Sequence, residues 1–158
     1  MTALEAHSAR YLTRDDVAAL HGVLTSVFAS SSDERMPPLT TINYGALDAL
    51  LSAPRHSFNG MPAYPSLPEK AAILFYAVNK RHLFLNGNKR MAVACLVYFI
   101  FQNGYRLAVT ADELTAKTLE IAVSDPMAFP STKRALTHWI ANNLLPLNDN
   151  DPPLLGLH

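Results

Sequence analysis

At 158 residues, 49% hydrophobic and 16% charged, the chain has the size and composition of one folded domain with a single core, which excludes a disordered or fibrous protein. A formal net charge of +0 without a long basic stripe argues against nucleic acid as a direct partner, and the single cysteine, Cys95, excludes an internal disulfide. No charged leader with an apolar run opens the chain, and no apolar run is long enough to span a bilayer, so the expectation is a cytoplasmic protein without membrane contact.

Residues 1–10 lack periodicity and read as a flexible lead-in. Thr13 followed three residues later by Asp16 resembles a capping box. Val17, Leu20, Leu24, Val27 and Phe28 then share a face at helical spacing, placing a first helix at about 14–29. His21 borders that face and reads as a structural histidine. Ser30 to Pro38 is polar and proline-containing, a loop. A shorter helix is expected from Asn43 to Leu51, with Asn43 as cap, Leu47, Leu50 and Leu51 on one face, and Pro54 as terminator. Between Pro54 and Pro65 the chain is too rich in proline and glycine for a helix, and Asn59-Gly60 is a hairpin turn signal. This segment reads as a flap exposing Phe58, Met61 and Tyr64, the alternative being a connecting loop whose apolar residues tuck into the core.

Ser66 and Glu69 form a second capping pair with Pro68 in the first turn, and Leu67, Ala71, Leu74 and Val78 recur at helical spacing up to Lys80-Arg81. After the intervening stretch from His82 to Arg90, the apolar block Met91 to Phe101 reads as a buried helix that contains Cys95 and reaches Asn103, with Gly104 available as a left-handed cap. Tyr105 to Val109 suits a brief extended segment. Thr110 and Glu113 open a further helix to about Ser124, where Asp125-Pro126 breaks it. Ser131 begins a last helix carrying Leu136, Trp139 and Ile140, ending near Leu145-Pro146. The fold class is therefore all-α, about six helices around a buried central helix with a small β-hairpin, forming one domain over residues 11–146, with 147–158 a flexible tail.

The chemistry concentrates in His82-Leu83-Phe84-Leu85-Asn86-Gly87-Asn88-Lys89-Arg90. A helix N-terminus presents unpaired N–H groups and the positive end of its dipole, so a helix beginning at Gly87 to Arg90 is built to hold phosphate. Between Glu69 and Asp112 there is no acidic residue, while Lys70, Lys80, Arg81, Lys89, Arg90 and Arg106 all fall there, so the middle of the chain is a local positive field. Lys70 and Arg106 read as ordinary surface charge; Lys89 and Arg90, after glycine and asparagine, read as part of the phosphate cradle. Histidine is the side chain suited to accept a proton near neutrality, so His82 can deprotonate a hydroxyl and direct it in line onto a bound nucleotide phosphate. Phe84 should turn inward and anchor the loop, and the Asn88 side chain can donate to phosphate oxygens.

This loop resembles the signature of the Fic/Doc family, His-x-Phe-x-acidic-Gly-Asn-Gly/Lys-Arg, and Lys89 points to its death-on-curing (Doc) branch. The resemblance extends to Tyr11-Leu12-Thr13, to Asp48 through Pro54 and to Tyr64 through Ala72, covering about residues 11–145. It implies a compact helical fold whose flap lays a target segment beside the loop. It further implies a Doc-like toxin of a toxin-antitoxin pair, a kinase-like phosphotransferase that takes ATP and Mg²⁺ and phosphorylates a hydroxyl of a protein, elongation factor Tu above all. By that resemblance His82 is the base, Gly87, Asn88, Lys89 and Arg90 bind phosphates, and the flap residues Arg55, His56, Ser57, Phe58, Asn59, Gly60 and Met61 position the target. An antitoxin protein is the implied inhibitor, since no inhibitory helix motif is built in. Two departures stand out. The family's acidic metal ligand is Asn86 here, a weaker Mg²⁺ ligand, and Val93 occupies the place where many Fic members carry a second arginine. The alternatives are AMP transfer to a protein hydroxyl, and a catalytically weakened module that binds nucleotide or antitoxin.

Overall fold

Among the described residues the chain forms six α-helices: α1 (Arg14–Val27), α2 (Tyr44–Ser52), α3 (Leu67–Arg81), α4 (Asn88–Gln102), α5 (Ala111–Val123) and α6 (Phe129–Asn143). The computed structural model describes residues 8–30, 36–39 and 42–151; most of the lead-in, the middle of the loop after α1 and the last part of the tail lie outside the described residues. Thr13 with Asp16, Ser66 with Glu69 and Thr110 with Glu113 each close a reciprocal capping box, satisfying two N–H groups at each helix start. Asn43 caps α2 by accepting from the Ala46 N–H. Gly104 follows α4 at φ +88, the left-handed conformation expected of it.

The mainly helical architecture anticipated above is thus present, with α4 at its centre. Met91, Ala92, Cys95, Leu96, Phe99 and Ile100 on α4 are all buried, and α4 packs chiefly against α3, whose Ala71, Ala72, Leu74, Phe75, Ala77 and Val78 are buried as well. The alanines at 71, 72, 77 and 92 leave room for close approach of the two helices. Leu136 and Ile140 of α6, Ile121 of α5, Leu47 and Leu50 of α2, and Val17 and Leu20 of α1 complete this core. Among the described residues no helix is long and apolar enough to cross a membrane.

Two short antiparallel ribbons accompany the helices. β1 (Ser57–Phe58) pairs with β2 (Met61–Pro62) across Asn59 at φ +52 and Gly60 at φ +78, two successive left-handed residues that the Asn-Gly pair supplies at low cost. The second ribbon contains the extended segment expected from Tyr105, but its partner strand was not anticipated. β3 (Tyr105–Leu107) pairs with β4 (Leu144–Pro146), Arg106 opposite Leu145, so the segment where the last helix was expected to fade is instead a strand.

Other expectations need correction. α1 ends at Val27, which is 61% exposed and so lies outside the apolar face assigned to it. The last helix starts at Phe129, two residues before Ser131, because a 3-10 turn over Pro126–Ala128, capped by Asp125, leads directly into it and Pro130 is tolerated in a first turn. Tyr64 is half-buried, its ring below the Lys133 ammonium at 5.3 Å and its carbonyl accepting from Lys70.

Candidate active site

The loop between α3 and α4 is fixed at both ends by backbone conformation. His82 terminates α3 at φ +48, ψ +48, a left-handed conformation that costs a non-glycine residue on the order of 1 kcal/mol. Gly87 caps α4 at φ +82, and a Cβ there would lie 2.3 Å from Met36 Sδ and 2.7 Å from its Cε, so a side chain at position 87 would be strained and would have to displace the end of Met36. Between them Phe84 is buried, its ring stacked on His21 at 6.4 Å. His21 is itself buried, with the Thr25 hydroxyl 3.4 Å from its Nδ1, a structural role as expected.

Asn88 closes this loop. Its Oδ1 accepts from the Phe84 N–H at 3.0 Å and its Nδ2 donates to the Phe84 carbonyl at 2.7 Å. The Asn88 amide therefore staples the loop with Oδ1 and one of its two Nδ2 hydrogens, and beside it stands the backbone N–H of the helix start. Gly87 provides no side-chain cap for the start of α4, which leaves the first-turn N–H groups to a ligand or to water.

These features open onto one cleft of about 320 Å³, lined by His82, Asn86, Gly87, Asn88, Lys89 and Arg90, with Asn79 and Ala122 behind them and no acidic side chain. His82 is exposed at its edge, as is Lys89, which forms no ion pair among the described residues. The Arg90 guanidinium lies over the Phe28 ring at 3.9 Å, with one nitrogen 3.9 Å from Met36 Sδ, so it is held along the side of the cleft. Lys80 points elsewhere: its ammonium donates to the carbonyls of Ala122 at 3.2 Å and Ser124 at 2.5 Å, offsetting the negative end of α5. Arg106 pairs with Asp151 at 3.3 Å and Lys70 donates to the Pro54 and Tyr64 carbonyls, so both are structural rather than merely solvated.

The flap residues are not brought into this cleft. Arg55 sits at the flap's root, its guanidinium 4.6 Å above the Tyr11 ring, while the tip exposes Phe58 at 77% and Met61 at 69%. The residues present do not form a divalent-cation site of their own. Asn86 Oδ1 already accepts from the Gly87 N–H at 2.9 Å, and among the described residues no three His, Cys, Asp or Glu side chains gather. Sequence reasoning missed two residues here. Met36, from a loop with no apolar pattern, packs on Gly87; Asn79, a polar residue on the apolar face of α3, lies at the back of the cleft.

Residues 11–100, from the start of the domain through most of α4, match the sequence profile of the Fic/DOC family. The chain belongs to the Fic/Doc family. Over 117 residues it is 36% identical to Toxin Doc of Mycolicibacterium smegmatis, an alignment covering 73% of this chain and 82% of that protein. No solved structure matches it. In this Fic/Doc domain the family's loop is presented as an uncapped helix start facing a histidine across a cationic cleft.

Proposed function

We propose that this Fic/Doc protein is a Doc-like toxin that transfers the terminal phosphoryl group of ATP to a hydroxyl side chain of a protein, with elongation factor Tu the target and an antitoxin its partner. The observation that carries the reading is His82, exposed at the edge of a cleft whose facing wall is the uncapped start of α4 beside the unpaired Lys89. The N–H groups there and the Lys89 ammonium offset charge on the phosphates. The hydroxyl oxygen attacks the terminal phosphorus, its proton passes to the His82 imidazole, and ADP leaves with the bridging oxygen. The exposed flap tip at Phe58 and Met61 supplies the surface that aligns the target segment. Mg²⁺ arrives as the counter-ion of the nucleotide. The toxin and antitoxin roles rest on the similarity to Toxin Doc.

The test is to incubate the purified protein with ATP, Mg²⁺ and elongation factor Tu and weigh the target. A phosphoryl increment that disappears with His82→Ala supports the reading; an adenylyl increment assigns AMP transfer instead; an increment that survives His82→Ala refutes the role of His82. A second reading, nucleotide binding without turnover, is favoured by Asn86, an amide committed to Gly87 where the family carries a carboxylate. Asn86→Asp separates the two: faster Mg²⁺-dependent transfer belongs to the enzyme, whereas an inert variant that still binds ATP belongs to the binding module.

A further inference from the structure

Asn79 is 2% exposed near the end of α3, one turn before His82, and it forms part of the back of the cleft. Its Nδ2 donates to the Phe75 carbonyl at 3.0 Å, while its Oδ1 is buried without a hydrogen-bond partner among the described residues. A buried acceptor left unpaired is costly, and native proteins retain such groups chiefly where something else completes them. The Phe75 carbonyl lies four residues earlier on the same helix, where the Asn79 backbone N–H also reaches it, so the side-chain bond adds little to the helix. An aliphatic side chain of equal size on this buried position would avoid the penalty. What remains unexplained by packing is the acceptor atom itself.

An ionised triphosphate offers acceptors only, so the donor that a nucleotide brings to Asn79 Oδ1 comes from its nucleoside part. Among the residues lining the cleft the His82 imidazole is the one aromatic ring, no Phe, Tyr or Trp is there to stack a purine, and besides the loop itself the lining is Asn79 and Ala122. That lining suits a sugar, which is joined directly to the phosphate chain. We propose that Asn79 Oδ1 accepts a hydrogen bond from a ribose hydroxyl, 2′ or 3′, of the nucleotide whose phosphates sit on the start of α4, making Asn79 a residue that recognises the sugar. This rests on the nucleotide-binding reading above. Lys80, the next residue, supports the site from behind by fixing the Ala122 carbonyl, so the gap between α3 and α5 is held at a set width.

Calorimetric titration of the full chain with ATP, 2′-deoxy-ATP and 3′-deoxy-ATP tests it, on wild type and on Asn79→Leu, with Asn79→Ala in reserve should the leucine variant fail to fold. Wild type is expected to bind ATP roughly three- to tenfold more tightly than one of the deoxy analogues, the worth of one neutral hydrogen bond. The variant should bind all three nucleotides equally, near the wild-type affinity for the weaker analogue, and melt no lower than wild type. Wild-type indifference to both hydroxyls overturns the proposal without any variant. So does a variant that weakens all three nucleotides by the same factor, which would mean that Asn79 acts on the loop or on His82 rather than on the sugar. Failure of wild type to bind any nucleotide refutes the nucleotide-binding reading itself and this inference with it.

Discussion

Gly87→Ala isolates the close approach on which the loop depends. At φ +82 an alanine pays about 1–2 kcal/mol for the left-handed conformation. Its Cβ would stand 2.3 Å from Met36 Sδ, so a methionine only 4% exposed has to move, an overpacking cost of about 1–3 kcal/mol. The smaller entropy of the unfolded alanine chain returns about 0.4–1 kcal/mol. The net loss expected is about 1–4.6 kcal/mol, which at a urea slope near 2 kcal/mol per molar lowers the unfolding midpoint by about 0.5–2.3 M. Urea titration followed through the fluorescence of Trp139, the single tryptophan, measures it. Repeating the substitution in a Met36→Ala background should leave only the conformational part, near 1 kcal/mol. A loss below about 0.5 kcal/mol, or an equal loss in both backgrounds, refutes the claim that Met36 and Gly87 are in enforced contact.

Asn88→Ala removes both bonds that close the loop on Phe84, and a cost of about 1–3 kcal/mol is expected, with faster hydrogen exchange at the Phe84 amide than at the core amides of α4. Cys95 should resist alkylation at pH 8 in the folded protein and react once urea unfolds it, because burial pushes its thiol up to about 12. The sign follows: the unfolded thiol releases its proton first, so stability falls as pH rises from the ordinary thiol range towards that value, a decline that Cys95→Ala should remove in pH-dependent unfolding.

The parts of the fold legible in the sequence were those encoded by neighbours. Thr13 and Asp16, Ser66 and Glu69, and Thr110 and Glu113 lie three residues apart and make their bonds locally, so reading them requires no knowledge of the rest of the chain. Asn59-Gly60 and Gly104 likewise declare their positive φ values by residue type. β3 was legible as an extended segment, whereas β4 and its pairing were not, because Tyr105 meets Pro146 from far along the chain and three residues are too few for an alternating pattern. At the site, residue types revealed a histidine, a glycine and two cations in one loop, but not their division of labour. Asn88 turned inward because Phe84 has backbone groups to satisfy, and Asn79 looked like any polar residue until its neighbours showed that one of its two amide atoms has no partner.

The corner at the far end of α4 has a practical consequence. The Asn103 side chain accepts from the Arg10 N–H and donates to the Arg10 carbonyl, and the next residue, Gly104, accepts from the Leu147 N–H. The strands of chain entering and leaving the domain are therefore moored at two consecutive residues, about 20 Å from the phosphate loop by the length of a fifteen-residue helix. Arg10 and Leu147 thus lie side by side away from the reactive face, and a short bridge joining the chain there would permit new ends to be cut at the Asn59-Gly60 turn.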